Sequence, residues 1–292
     1  MTIPSNPRLF VTGAAGQLGH LVIDALLQIV PPARIVAGVR NPNAPAAQAL
    51  RDRGVEVRTA DYARPETLAF EGIDRLLLIS SNAPAARVLQ HRNVIAAAAK
   101  AGVRLIAYTS VLHAATSPLG LAEEHRQTEA VLAGAGVPFV LLRNGWYTEN
   151  YAAAIPGALA HGALLGSAGD GRIASAARAD YAAAAAVVLT SDADQGGRIY
   201  ELAGDEAYSL TAFAAEIARQ SGTPVAYRNL PEADYKAALL GAGLPEDLAG
   251  LLADSDTGAA GGALFDGDRQ LSRLIGRPTV PFATTIAAAL KA

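Results

Sequence analysis

The chain has 292 residues, a formal net charge of −3 at pH 7 and no cysteine. The negative balance argues against a protein that binds nucleic acid through phosphate contacts, and the lack of cysteine excludes disulfides, thiol nucleophiles and iron–sulfur clusters. Residues 1–7 lack the basic and apolar regions of a signal peptide, and no apolar run reaches the about 20 residues that span a bilayer. We therefore expect a cytoplasmic protein with no membrane span and no nucleic-acid partner.

The first predicted element is a short buried strand, which leads through a glycine-rich turn into a helix. Gly13, Gly16 and Gly19 have the spacing G-x-x-G-x-x-G. Apolar residues recur at helical spacing over residues 18–30, and two prolines then end the helix. Glycines let the backbone turn sharply and approach a pyrophosphate, and the start of the helix offers free N–H groups. The stretch predicts a dinucleotide-binding turn; the alternative is an ordinary connection between strand and helix.

The second predicted strand, residues 34–40, ends at the position that distinguishes the two pyridine nucleotides. Folds that bind NAD commonly place Asp or Glu about 20 residues after the glycines, where it accepts the ribose 2′-hydroxyl. Here the position holds Arg40, followed by Asn41. A cation at this point suits a 2′-phosphate, so we predict NADPH in preference to NADH. A solvated arginine at the end of a strand is the alternative.

Two further predicted strands end in polar residues. Asp61 and Tyr62 follow the third strand, and Ser80 and Ser81 follow the fourth. Because parallel sheets bind ligands at the carboxyl edge, all four are candidates for contact with the cofactor. Asp61 and Tyr62 could flank an adenine, or Asp61 could instead cap the short helix that follows.

Two helices on either side of the fifth predicted strand carry histidines. In the first, residues 84–101, we assign His91 to the solvated face. In the second, residues 121–132, His125 and Glu129 are four residues apart and share one face. A carboxylate beside an imidazole could orient the ring and raise its proton affinity. The other interpretation of His125 and Glu129 is an ion pair at the surface.

A sixth strand, residues 137–142, completes a pattern of strands alternating with helices. Such a pattern predicts βαβ units, and right-handed crossovers then give an α/β fold of the doubly wound Rossmann type with a parallel sheet. The sixth strand leads into a segment, residues 143–151, that holds Trp146, Tyr147 and Tyr151. These aromatic side chains suggest a slot for a planar molecule, and a plug in the hydrophobic core is the alternative.

The pattern loosens after residue 150, where shorter helices and strands follow one another. We therefore divide the chain into a dinucleotide-binding domain, residues 8–150, and a smaller α/β lobe, residues 151–292, which covers the substrate and is interleaved with the sheet. Asp254, Ser255 and Asp256 lack the full ligand set of a calcium loop, and we interpret them as an ordinary loop. No metal site is expected.

Several of these stretches together resemble one family, the NmrA-like branch of the atypical short-chain dehydrogenases/reductases. The resemblance lies in the glycine turn, in Val39-Arg40-Asn41, in residues 108–113 and 116–122, and in Arg143-Asn144-Gly145-Trp146-Tyr147. It extends to the C-terminus through residues 168–171, 252–256 and 274–276. Within the branch, the chain most resembles the bacterial type 2 NAD(P)H:quinone oxidoreductases, with triphenylmethane reductases as more distant relatives.

The resemblance implies a Rossmann-type domain, NADPH as cofactor and two-electron reduction of a small planar quinone. It places the glycine turn on the pyrophosphate, Arg40 on the 2′-phosphate and the two serines beside the ribose and nicotinamide. The residues that we assign to the cofactor are Gly13, Ala14, Ala15, Gly16, Gln17, Leu18, Gly19, Arg40, Asp61, Tyr62, Ser80, Ser81, Arg143, Asn144 and Trp146. Those that we assign to the substrate are Trp146, Tyr147 and Tyr151.

The chain departs from typical short-chain dehydrogenases at the proton-transfer residues. Their Tyr-x-x-x-Lys motif is replaced here by Leu121 and His125, which argues against reduction of ordinary ketones. A quinone needs less assistance, because hydride arrival restores its aromaticity. We assign the stabilisation of the developing oxygen charge to Asn144 or Tyr147, with His125 as a candidate proton source.

Two other functions remain open at this point. One is a regulatory protein that senses NADP(H) without turnover, as the family's name-giving members do. The other is a reductase of a different conjugated acceptor, such as a triphenylmethane dye. A homodimer is also an open expectation.

Overall fold

The computed structural model describes residues 6–83 and 85–291. Within these residues the strands are β1 Leu9–Val11, β2 Ile35–Val39, β3 Glu56–Thr59, β4 Arg75–Leu78, β5 Leu105–Val111, β6 Phe139–Asn144, β7 Ala163–Gly166, β8 Ile199–Leu202 and β9 Ala226–Asn229. The α-helices in the same part of the chain are α1 Gln17–Leu27, α2 Pro45–Asp52, α3 Arg87–Lys100, α4 Ala122–Ala133, α5 Thr148–Ala152, α6 Ile155–His161, α7 Arg178–Thr190, α8 Leu210–Ser221, α9 Glu232–Gly241, α10 Glu246–Ala260, α11 Gln270–Ile275 and α12 Phe282–Ala289.

Seven strands form one sheet in the order β3-β2-β1-β4-β5-β6-β8, and β7 pairs with β9 in a second, two-stranded sheet. The pairs β1–β2, β2–β3, β1–β4 and β4–β5 are parallel. The chain winds outward from β1 to β3 and then crosses back to β4, so the order reverses between β1 and β4. This is the doubly wound Rossmann arrangement, in which ligands bind at the reversal point. The predicted fold class is confirmed.

Burial explains why the central strands are almost entirely apolar, with Arg75 at the start of β4 as the exception. Every residue of β1, β2 and β4 is buried, as helices on both faces of a parallel sheet require. One core cluster contains Phe10, Val36, Leu76, Ile106 and Tyr108. The sheet and its core therefore fix the position of each strand's carboxyl end, where the candidate residues lie.

The chain divides into two compact units whose segments alternate along the sequence. The first consists of Met1–Val111, Glu124–Arg143 and Tyr181–Tyr200, and the second of Leu112–Glu123, Asn144–Asp180 and Glu201–Ala292. Residues 112–123 and 144–150 thus belong to the second unit, and residues 181–200 to the first.

Some local predictions differ from the structure. Asp254, Ser255 and Asp256, interpreted as a loop, lie within α10. Strand β7 follows directly after α6, in a stretch to which no strand was assigned. Helix α3 begins at Arg87, and residue 84, where we expected its start, lies outside the described residues, as do residues 1–5, in which we expected no signal peptide. Among the helices of the described residues, none combines the length and apolarity that crossing a membrane requires.

Candidate active site

The glycine turn between β1 and α1 has the geometry of an anion cradle. Gly13 has a positive φ of 59°, and the N–H of Gly16 donates to its carbonyl at 2.9 Å. A Cβ on Gly19 would lie 2.2 Å from that same carbonyl oxygen, so only glycine lets α1 approach the turn. Gly16 caps α1 without a side-chain hydrogen bond. The first N–H groups of the helix are therefore available to a phosphate.

The other residues of the turn divide between packing and exposure. Ala14 and Leu18 are buried, and the N–H of Ala14 donates to the carbonyl of Gly38 at 3.0 Å, which ties the turn to β2. Ala15 and Gln17 are exposed. The backbone of the turn, rather than its side chains, therefore supplies the expected contacts.

Arg40 follows β2 with its side chain exposed. Within residues 6–83 and 85–291 it makes no hydrogen bond or ion pair. The adjacent Asn41 accepts the N–H of Asn43 at 3.0 Å and so shapes the loop. A guanidinium without a carboxylate partner can receive a phosphate, which fits the residue to the 2′-phosphate of NADPH.

Tyr62 lies beneath the glycine turn rather than beside it. Its hydroxyl contacts the hydroxyl of Thr12 and the carbonyl of Ile79, the latter at 2.9 Å. Burial raises the pKa of Tyr62. Asp61 accepts the N–H of Ala63 at 3.0 Å and so closes the local turn. Tyr62 thus ties the ends of β1, β3 and β4 together, whereas the Asp61 carboxylate holds the turn that follows β3.

His125 has a different environment from either expectation. The predicted surface ion pair with Glu129 is wrong, because His125 is only 4% exposed and its Nδ1 lies 2.7 Å from the hydroxyl of Tyr108. Burial, with smaller contributions from Arg87 and His91, lowers the pKa of His125 to about 3. The ring is therefore neutral at pH 7. His91, expected on the solvated face of α3, is likewise fully buried.

Glu129 pairs with Arg143 instead. The guanidinium of Arg143 donates from Nε at 3.0 Å and from Nη2 at 2.7 Å to the two carboxylate oxygens. The hydroxyl of Ser110 adds a third hydrogen bond to the carboxylate at 2.6 Å. Both partners are largely shielded from solvent, so this bidentate pair firmly connects α4 and β6. The structure thus gives Arg143, which we assigned to the cofactor, a carboxylate partner within the protein.

In the second unit, Asn144 and Tyr147 are brought together. The side chain of Asn144 is buried and hydrogen-bonds Tyr147. Burial raises the pKa of Tyr147, and the bond from Asn144 and the charge of Arg178 oppose the rise. The guanidinium carbon of Arg178 lies 4.9 Å from the centre of the Tyr147 ring. The Oδ1 of Asn144 has no hydrogen-bond donor among the described residues, which leaves a buried acceptor.

Trp146 and Tyr151 are both buried, with ring centroids 6.2 Å apart. The hydroxyl of Tyr151 donates to Asp256 at 2.8 Å, and the N–H of Ser167 donates to the other carboxylate oxygen at 3.0 Å. Burial raises the pKa of Asp256 to about 6. Tyr151 is therefore anchored through its hydroxyl inside the second unit, which favours the packing interpretation for this residue.

Two buried residues of these networks escaped the sequence prediction. Arg87, His91 and Ala98 are buried on α3 at the spacing i, i+4, i+11, so the helical periodicity could have identified His91 as an inward-facing residue. Asp256 carried no such signal, since three polar residues in a row are typical of a loop.

The fold and the glycine turn define a Rossmann-type dinucleotide-binding protein. A family model, the NmrA-like family, matches residues 5–257. The chain is 58% identical to quinone oxidoreductase 2 of Escherichia coli (strain K12) over 278 residues, which cover 94% of this chain and 96% of that protein. The chain therefore belongs to the NmrA-like family, and the expected resemblance is confirmed.

Solved structures give the same result. The NADPH complex of the Escherichia coli quinone oxidoreductase QOR2 aligns with a TM-score of 0.93 at 56% identity, over 97% of this chain and 99% of that chain. The NADP(H) complex of Citrobacter sp. triphenylmethane reductase aligns with a TM-score of 0.91 at 36% identity, over 96% and 99%.

Proposed function

We propose that this protein is an NADPH-dependent oxidoreductase that reduces quinones by direct hydride transfer. The observation that carries the proposal is the 58% identity to a quinone oxidoreductase over nearly the whole length of both chains. The structure supports it independently through the start of α1, which has no side-chain cap, and through Arg40, which has no ion-pair partner among residues 6–83 and 85–291. NADPH supplies the hydride when bound, and the quinone takes up that hydride and a proton to become a hydroquinone.

The residues fit this cofactor. The backbone from Gly13 to Gly19 would bind the pyrophosphate, because its N–H groups are available and a side chain at Gly19 would clash. Arg40 would bind the 2′-phosphate, and Ser80 and Ser81, at the end of β4, would border the nicotinamide ribose. Tyr62, which contacts Thr12 at the end of β1, and Asp61, which closes the turn after β3, would support the adenine side.

Asn144 and Tyr147 would act on the quinone oxygen. The amide of Asn144 bonds the Tyr147 oxygen, so the phenolic proton is free to point toward an acceptor. Because burial raises its pKa, Tyr147 stays protonated at neutral pH and can donate to the oxygen that gains charge. His125, buried and neutral, is better suited to hold Tyr108 than to release a proton. Trp146 would pack near the substrate.

A direct assay tests the proposal. The protein is mixed with NADPH and a simple benzoquinone, and the loss of NADPH absorbance is followed against a protein-free control. Consumption that needs both protein and quinone supports the reductase. Tight NADPH binding without consumption would favour the NADP(H)-sensing regulator. Consumption with a triphenylmethane dye but not with quinones would favour a reductase of that other class of acceptor.

Three finer expectations stay predictions. The first is that residues 151–292 supply a substrate-covering lobe to a cofactor-binding domain of residues 8–150. The second is that the protein is cytoplasmic, and the third is that it forms a homodimer.

A further inference from the structure

Every polar group of Ser81 is bonded to a side chain of one helix. Its N–H donates to Nε2 of His91 at 2.9 Å, its carbonyl accepts from Nε of Arg87 at 2.8 Å, and its hydroxyl donates to Oε1 of Gln90. The three partners lie at i, i+3 and i+4 of α3 and therefore share a face. Such complete engagement is unusual for a residue in a loop after a strand.

The hydrogen bonds determine the tautomer of His91. A backbone N–H can only donate, so Nε2 must be without a proton, and a neutral ring then carries its proton on Nδ1. Nδ1 lies 3.0 Å from the hydroxyl oxygen of Thr128 on α4, and that oxygen accepts the hydrogen bond from Nδ1–H. Burial, aided by the charge of Arg87, lowers the pKa of His91 to about 3 and so keeps the ring neutral.

The same loop is held at a second point. Arg87 is buried and pairs with Glu124 at 2.5 Å, and the other oxygen of Glu124 accepts the N–H of Ala85 at 3.0 Å. Ala85 has a positive φ of 63°, a conformation that needs such support in a residue with a side chain. Side chains of α3 and α4 thus hold the loop after β4 at two positions, Ser81 and Ala85.

We propose that His91 is a positioning residue, which together with Arg87 and Gln90 holds Ser81 in place for the nicotinamide half of NADPH. This inference rests on the proposed function, in which Ser80 and Ser81 border the nicotinamide ribose. His91 does not touch the reacting atoms. It acts by accepting an N–H that would otherwise be unpaired, so that the backbone at Ser81 keeps one conformation before the cofactor arrives.

Two substitutions of His91 distinguish the role of its hydrogen-bond acceptor from that of its planar ring. His91→Phe keeps a planar ring but offers no acceptor, whereas the amide oxygen of His91→Gln can occupy the place of Nε2. We expect His91→Phe to lower kcat about tenfold to a hundredfold, because small displacements of reacting groups are costly. The dissociation constant for NADPH stays within about threefold, since the glycine turn and Arg40 are untouched. His91→Gln restores most of kcat.

Arg92→Ser, at an exposed position next to His91 on α3, is the matched control and should leave both kcat and the dissociation constant for NADPH unchanged. The inference is overturned if His91→Phe folds and retains full kcat, or if His91→Gln is as impaired as His91→Phe. If His91→Phe does not fold, amide exchange of the wild type decides: a strongly protected Ser81 N–H supports the inference, and exchange as fast as in an exposed loop overturns it. If the wild type consumes no NADPH with any quinone, the proposed function is overturned instead. Amide exchange at Ser81 still tests whether His91 fixes the loop.

Discussion

The hydroxyl of Tyr108 and Nδ1 of His125 lie 2.7 Å apart in the interior of the first unit. Burial raises the pKa of Tyr108 and lowers that of His125, so both groups are neutral across the physiological range. The imidazole at the position of the usual lysine thus contributes a hydrogen bond rather than a charge. Quinone reduction needs little proton assistance, so the site can perform it without the Tyr-x-x-x-Lys motif that ketone reduction requires.

A neutral buried His125 makes stability depend on pH. The folded pKa of about 3 lies below the ordinary 6.5, so the unfolded chain takes up the proton first as the pH falls. The unfolding free energy therefore does not depend on His125 above pH 6.5, and it decreases as the pH drops from 6.5 toward 3. Between pH 6.5 and 4.5, we expect the unfolding free energy of His125→Gln to fall by about 2 kcal/mol less than that of the wild type, as measured in denaturant titrations. The exposed His20→Gln serves as control, and parallel curves for His125→Gln and wild type would contradict the prediction.

Arg40 should determine the choice between the two reduced nucleotides. Arg40→Ser removes the guanidinium from the 2′-phosphate, and we expect NADPH to bind about tenfold to a hundredfold more weakly. NADH, which lacks that phosphate, should bind as before. Titration of both nucleotides measures the ratio. Arg92→Ser removes the same charge from an exposed position on α3 and should change neither affinity. An Arg40→Ser protein that still prefers NADPH by the original factor would exclude the role.

The parts of the molecule that could be predicted are those with local signals. The glycine turn, α1 and the sheet strands up to β6 follow from periodicity and from residues close together in the chain. The contacts that place side chains do not, because they join distant residues. Tyr151 and Asp256 are 105 positions apart, and nothing near either residue indicates the other. For Glu129 the sequence suggested His125, four residues away, but His125 faces the interior, and the carboxylate pairs with Arg143, which is 14 positions away.

The third glycine of the turn should tolerate no side chain. Gly19→Ala would bring a Cβ to 2.2 Å from the Gly13 carbonyl oxygen, and the other nearest atoms are backbone of Gly13 and Ala14, which cannot swing aside as a side chain can. We expect a loss of about 2 kcal/mol in unfolding free energy and weaker NADPH binding. Gly157→Ala is the control, because that position in α6 has open space around it. Its stability should be unchanged or slightly higher. A Gly19→Ala protein with wild-type stability and NADPH affinity would show that the turn adapts.

Tyr147 and Asn144 should behave as one unit in catalysis. Tyr147→Phe removes the proposed donor to the quinone oxygen, and we expect kcat to fall about a hundredfold. Asn144→Ala should also lower kcat, but the double variant should be no slower than Tyr147→Phe, because Asn144 acts through the tyrosine oxygen that it bonds. Tyr200→Phe loses a hydroxyl that donates to Gln195, away from the proposed site residues, and should retain full activity. Steady-state assays of the four variants with saturating NADPH provide the comparison. Additive losses would mean that Asn144 contacts the substrate or cofactor itself through its Oδ1, which no donor of the described residues reaches. A fully active Tyr147→Phe protein would exclude the tyrosine from the reaction.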